Sequence, residues 1–261
     1  MSSAIDDAVA YFKSKNLTDR ASDFTDRKSE IDQGISSLKA AVNGTGIADS
    51  ILKQMKGLVN SARTADSSTR ATLTSQFNDL AKQLNSSQGD SSYQGLNLVN
   101  NSTASLTVYF NQGTGASLQV NAQNLNTSVL LSGASAASNG ALSIMMSGGG
   151  LATDSTGFSV LSDSTSAAAV LDNLSQQIDA SISTVRASSA RLGGNVTFLQ
   201  TRLDFTNNYV NTMTEGSGKL TLADLNEEGA NLVALQTRQQ IGVSSLSIAG
   251  QQQQAILSLI H

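Results

Sequence analysis

The chain contains no cysteine, no proline and no tryptophan. Without cysteine there is neither a disulfide framework nor a thiolate metal site, although this leaves the compartment open. Aromatic residues make up 4% of the 261 positions. A compact catalytic core of this size ordinarily uses more rings, because they bury the most area per side chain. The one histidine is His261, at the very end, which removes Ser-His-Asp triads, Cys-His pairs and the H-E-x-x-H zinc motif. A net charge of −4 and a pI near 4.9 leave no basic footprint, so no nucleic-acid partner is expected. No run approaches about 18 apolar residues, and no basic start leads into an apolar stretch. Neither a membrane span nor a secretory signal peptide is therefore expected.

The remaining chemical candidates are weak. Asp6–Asp7 and Glu227–Glu228 are adjacent carboxylates. Neighbouring helical residues diverge by about 100° and so do not converge as an acid–base pair; they read as helix-start charges. The glycine clusters at 44–46 and 148–150 lack a following G-K-[ST] and do not form a phosphate loop. Lys53, Lys56 and Arg63 form a sparse basic set that reads as a solvated face or a lateral contact. No catalytic, cofactor-binding or metal-binding residue is assigned, and no cofactor is expected.

What the chain does have is periodicity. From Leu17 the apolar positions step by four and three through Ala21, Phe24, Ile31, Ile35, Leu38 and Val42, with Lys28 as the exception. This heptad seam lets one helix lie along another. Gly44 and Gly46 interrupt it, and it resumes one register away at Ala48, Leu52, Met55, Val59 and Ala62. One long helix with a local irregularity, or two helices, would satisfy the pattern. Leu73, Phe77, Leu80 and Leu84 mark a shorter helix, with Asp66 or Ser67 as its cap.

A second seam is cleaner. Ile178, Ile182, Val185, Leu192, Val196, Leu199, Leu203, Val210 and Met213 keep the step, with Ser189 and Thr206 as the polar entries. The helix is expected to start near Asp163 or Ser164 and to end near a Gly216–Gly218 turn. Gly193 and Gly194 sit inside it at a cost of about 1 kcal/mol each, which suggests a close approach by a neighbour. Between the helical parts, LTVYF (106–110) and SLQVN (117–121) read as a hairpin. Residues 133–160 are rich in Ser, Gly and Ala and read as a small β/loop region.

The segment 225–260 poses the sharpest question. After Glu228 it holds one charge, Arg238. Its seam of Leu225, Leu232, Leu235, Leu246, Ala249, Ile256 and Ile260 is weak, and Val233, Ile241, Val243, Ile248, Leu257 and Leu259 lie off it. A helix apolar on several sides must be surrounded on several sides. At about 1.5 Å per residue it reaches about 54 Å, longer than a small domain can cover. A buried core helix is the plain alternative. Neighbouring copies that supply the missing walls are the expectation.

Three stretches then carry a family resemblance. NEEGANLVALQTRQQIGVSSLSIAGQQQQAILSLI resembles the C-terminal segment of bacterial flagellins; SSYQGLNLVN at 91–100 resembles their F/Y-N-G-x-N-L-L signature, with Gln94 in place of Asn; SAIDDAVAYF at 3–12 resembles the opening of their N-terminal helical region. The resemblance covers roughly residues 3–100 and 165–260. It implies a mainly α fold: an elongated antiparallel helical rod, flagellin-like and coiled-coil in character, with a small β-hairpin/loop region and a C-terminal inner-tube helix. The expected divisions are an N-terminal rod segment (1–100), a β-rich variable region (101–163), a rod helix (164–215) and an assembly helix (216–261).

The function implied is a structural subunit of the flagellar filament that self-assembles by helix packing for motility. The alternative is a hook–filament junction or adapter protein of the same architecture. An enzyme is not expected. Expected partners are other copies of the chain and an export chaperone on the C-terminal helix; the expected location is the extracellular filament, reached by flagellar export without a cleaved signal. Flagellins carry a further helix ahead of the S-A-x-D-D segment, and its absence here suggests a truncated chain, with a natural variant as the alternative, that polymerises poorly alone. LKQMKGLVNSA at 52–62 resembles only in part the segment read by a host immune receptor, so that recognition is not carried over.

Overall fold

The computed structural model describes residues 8–111, 115–132, 164–221 and 225–259; side chains of 164–169, 225–228 and 254–259 are outside that description. The expectations for Ser3–Asp7, the 133–160 loop region and His261 fall outside it too. The elements in order are α1 (Ala8–Ala62), α2 (Ser67–Asp90), β1 (Ser92–Tyr93), β2 (Leu96–Asn97), β3 (Ser105–Tyr109), β4 (Ser117–Asn121), α3 (Thr127–Leu130), α4 (Ser164–Thr221) and α5 (Leu225–Leu259). The fold is mainly α. Contacts divide the chain into two compact units, Ser22–Val210 and the combination of Met1–Ala21 with Asn211–His261.

In the larger unit α1 and α4 run antiparallel. Successive steps of seven down α1, at Arg63, Lys56 and Asp49, meet steps of seven up α4, at Asp172, Asp179 and Arg186. Farther along, Phe24 meets Tyr209 edge-on with ring centroids 4.9 Å apart. Between these flanks Ile31, Leu38, Leu52 and Met55 of α1 pack with Leu171, Leu174, Ile178 and Leu199 of α4, all buried. Helix formation on this scale draws on tertiary burial more than on propensity, since Ser, Thr and Asn are frequent in both sequences.

The interruption at Gly44 and Gly46 does not break α1, which is continuous from Ala8 to Ala62. The buried positions run Ile35, Leu38, Ala41, Thr45, Ala48 and Leu52, so two consecutive steps of three shift the seam. Thr45 fills a buried slot because its hydroxyl donates to the Val42 carbonyl at 2.7 Å. Gly44 serves a close approach: a Cβ there would lie 2.7 Å from Ser91 Cβ and 3.4 Å from Val99 Cγ2. Gly34 plays the same part for the hairpin, where an added Cβ would sit 2.6 Å from Val108 Cγ2.

Asp66 caps α2, accepting from the Thr69 N–H at 2.7 Å with extended backbone angles. This bond and the nearby N–H groups hold its carboxyl below the usual value. Arg70 reaches back to the Ala62 carbonyl at 2.9 Å and satisfies the end of α1. The face α2 buries is Thr74, Phe77, Ala81, Leu84 and Gln88. The sequence seam placed Leu73 and Leu80 there, but both are only partly buried. Small Thr and Ala side chains take the centre of the contact instead, with the leucines on its flank.

After α2 the chain reverses through β1 and β2, which pair antiparallel across Gln94 (φ 49°) and Gly95 (φ 81°). Two residues at positive φ make the turn type that suits a hairpin, and Asn-Gly is its usual pair. Gln94 holds the strained position while its side chain donates to Gln33 Oε1 at 2.9 Å, beside the Tyr93 hydroxyl at 3.0 Å. Asn97 then fixes the exit. Its amide donates to the Gln88 and Gly89 carbonyls, and its carbonyl accepts from the Val99 and Asn100 N–H groups. β3 and β4 form the expected hairpin, in register from Ser105 opposite Asn121 to Tyr109 opposite Ser117. Buried Val108, Phe110 and Val120 turn its apolar face to the helices.

Candidate assembly surfaces

The seam expected on α4 is placed inward. Ile178, Ile182, Val185, Leu192 and Leu199 are buried, and Val196 and Leu203 pack partly buried against the same core. Val210 is half-buried, Met213 is buried, and of the two polar entries Thr206 is buried and returns its hydroxyl to the Arg202 carbonyl at 2.8 Å. The buried face extends beyond the sequence seam to Leu171 and Leu174. It also includes Ser181 and Ser188, which sequence periodicity passed over. Ser181 donates to the Leu130 carbonyl at 2.6 Å, and Ser188 donates to Gln123. These hydroxyls tie the segment after the hairpin to α4, so burial of a serine here is compensated by a bond.

α4 does not end at Gly216–Gly218 but runs on to Thr221. Intrahelical hydroxyl bonds and a neighbour offset the glycine cost. Ser217 lies within 2.8 Å of Ser14 Oγ and 2.9 Å of Thr18 Oγ1, and a Cβ at Gly216 would only touch Leu17, at 3.6 Å. In the same unit an apolar groove of about 670 Å³ is lined by Val9, Phe12, Leu17 and Leu220.

The basic set of α1 is engaged within the chain rather than left as a lateral contact. Lys56 and Arg63 pair with Asp179 and Asp172. Lys53 pairs with Asp49 at 2.5 Å. Hydrogen bonds from Lys53 first, and from Arg186, hold the Asp49 carboxyl below its usual value against the opposing effect of partial burial. No signal in the apolar pattern announces these pairs. Their seven-residue spacing on both helices does.

α5 presents the opposite picture. Every described side chain from 229 to 253 is exposed. Leu232 is 57% exposed, Leu235 68%, Ile241 60%, Leu246 79% and Ile248 57%. Val233 and Val243 are open as well, so apolar side chains emerge around the helix and not along one stripe. Leu225, Ile256, Leu259 and Ile260 have side chains outside the described residues. Among the described residues no helix is long and apolar enough to cross a membrane, and no group of His, Cys, Asp and Glu is placed to hold a metal ion.

The family model described as the bacterial flagellin C-terminal helical region matches residues 168–260, which spans α4 and α5. Flagellin FljK of Caulobacter vibrioides is 28% identical over 263 residues, covering 100% of this chain and 86% of that protein. The chain belongs to the flagellin family. Flagellin C of Rhizobium meliloti is 30% identical over 208 residues, covering 70% of this chain and 64% of that one. A putative flagellar hook-associated protein from Vibrio parahaemolyticus has the same fold, with a TM-score of 0.62 at 16% identity, covering 83% of this chain and 100% of that one. As a flagellin, the chain is a structural subunit of the flagellar filament. Members of this family assemble into polymeric filaments with other flagellin subunits, and the family is a structural one.

Proposed function

We propose that α5 is the helix through which copies of this flagellin hold one another in the filament. The exposure of Leu232, Leu235, Ile241, Leu246 and Ile248 carries this reading. Leu225, Ile256, Leu259 and Ile260 would continue the same contact. Burying one such side chain contributes about 1.5–3 kcal/mol, so these five together match the roughly 4–15 kcal/mol that association costs in lost freedom. The rod seam of α4, from Ile178 to Val210, keeps the subunit body fixed while α5 is bound. The action is mechanical: no bond is made or broken, and the subunit needs no cofactor.

Before assembly the same surface is an aggregation hazard, because an apolar patch of this extent is rarely left open in a lone soluble protein. An export chaperone that covers α5, followed by passage through the flagellar export channel without a cleaved signal, fits that hazard. The test is the critical concentration for polymerisation, measured by sedimentation. Leu246→Asp should raise it by at least about 30-fold, the equivalent of about 2 kcal/mol, while leaving the helical signal of the monomer unchanged. An unchanged critical concentration would remove α5 from the contact.

A further inference from the structure

α4 carries a second heptad stripe, which α1 meets at its Tyr209 end, where Phe24 lies edge-on to that ring. Arg191, Asn195, Phe198, Arg202, Phe205 and Tyr209 step by four and three along the helix, off the buried seam. Phe198 is 48% exposed and Phe205 50%, in a chain with only seven phenylalanines. The rings are held in place rather than loose. The Arg202 guanidinium lies 4.9 Å from the Phe110 ring and 5.0 Å from that of Phe205, and Phe205 stacks on Tyr209 at 5.8 Å. An ordered, half-open row of aromatics and arginines has the composition of an interface centre. Its 3.5-residue repeat suits another helix. Gly194, three residues from Arg191 and four from Phe198, opens the same face, since a Cβ there would meet nothing within 4 Å.

The complementary surface is on α1. Asp23, Asp26 and Glu30 follow the same three-four step off the buried seam of α1, with Asp26 and Glu30 exposed and Asp23 half-buried. Glu30 is shared with Arg27. Asp23 and Asp26 have no ion-pair partner among the described residues, nor do Arg191 and Arg202. A basic-aromatic stripe and an acidic stripe of equal repeat are complementary in charge, and a contact of one with the other on the next copy is heterologous, the kind that builds open filaments where the rotation does not close into a ring.

We propose that the Arg191–Tyr209 stripe of one copy packs on the Asp23–Glu30 stripe of the next. This rests on the filament reading and names a contact distinct from α5. The test uses filaments sheared from cells that make the unaltered chain together with a minority carrying p-benzoylphenylalanine in place of Phe198 or Phe205. After irradiation the cross-linked dimers are separated from monomers, which sets aside any link to Phe24 of the same chain, and digested. The expected adduct joins the photoreactive residue to a peptide from residues 21–39. Filaments whose dimers join elsewhere, or that give no dimers, overturn this contact and leave the α5 reading standing. Absence of filaments from the unaltered chain overturns both. Independently, Arg191→Glu and Asp26→Lys should each shorten filaments, and their combination in one chain should restore length. Failure of the combination to restore it contradicts the pairing.

Discussion

The Lys56 ammonium bonds both oxygens of the Asp179 carboxylate, at 2.6 and 2.7 Å, across 123 residues of sequence. One step of seven in opposite directions along the helices leads to Arg63–Asp172, and one step the other way to Asp49–Arg186, where the charges are exchanged. A slip of α1 on α4 by one heptad would bring Asp49 against Asp179. The ladder therefore marks a single register for two long helices whose apolar seams alone would tolerate several.

Each rung is partly exposed and contributes little by itself, about 0.2–1 kcal/mol. Asp179→Lys should lower unfolding free energy by about 1 kcal/mol, and adding Lys56→Asp should recover most of it. A denaturant titration of the four chains of that cycle measures the coupling. No recovery in the double variant would mean that the rung does not interact.

Asp49 gives the ladder a pH dependence. Its folded-state pKa lies below the ordinary aspartate value because Lys53 and Arg186 bond the charged form. Its contribution is thus fully present above the unfolded value and lost as pH falls through the lower folded one. The difference in Tm between this chain and Asp49→Asn should be constant near neutrality and shrink below the ordinary carboxylate range. A difference that grows on acidification would contradict the assignment.

Two glycines in α-helices should respond oppositely to alanine. At Gly34 the new Cβ would meet Val108 at 2.6 Å and Leu199 at 3.3 Å. Overpacking of about 1–3 kcal/mol should outweigh the gain of about 1 kcal/mol in helix propensity. At Gly194 the space is open, so Gly194→Ala should raise the Tm of the monomer. Thermal melts of the two variants decide the matter, and a lower Tm for Gly194→Ala would contradict the open space beside it.

Asn97→Ala removes four hydrogen bonds at the exit of α2. At about 0.5–1.5 kcal/mol each the loss should be about 2–6 kcal/mol, read from chemical denaturation. A loss below about 0.5 kcal/mol would mean that water replaces the side chain without penalty.

The helices and the hairpin were legible because burial repeats with fixed periods. Ile178 through Leu203 read as a core face for that reason, and LTVYF and SLQVN as strands. What was not legible depended on polar atoms finding partners. Thr45, Ser181 and Ser188 are buried through hydroxyl bonds that no apolar pattern records. The glycines at 216 and 218 suggested a stop, yet hydroxyl bonds from Ser217 and a loose fit against Leu17 carry the helix on to Thr221. α5 was legible as an oddity, since apolar residues on every side have no solution inside one chain.

The central claim is that the apolar sides of α5, open in the lone subunit, are covered in the filament. Because the chain has no cysteine, a single thiol reports on one position. Leu235→Cys and Leu246→Cys should react rapidly with a maleimide in monomers and be protected in filaments, with Ser75→Cys on the exposed side of α2 as the reference for labelling in both states. Equal labelling of Leu235→Cys and Leu246→Cys in monomers and filaments would contradict the account.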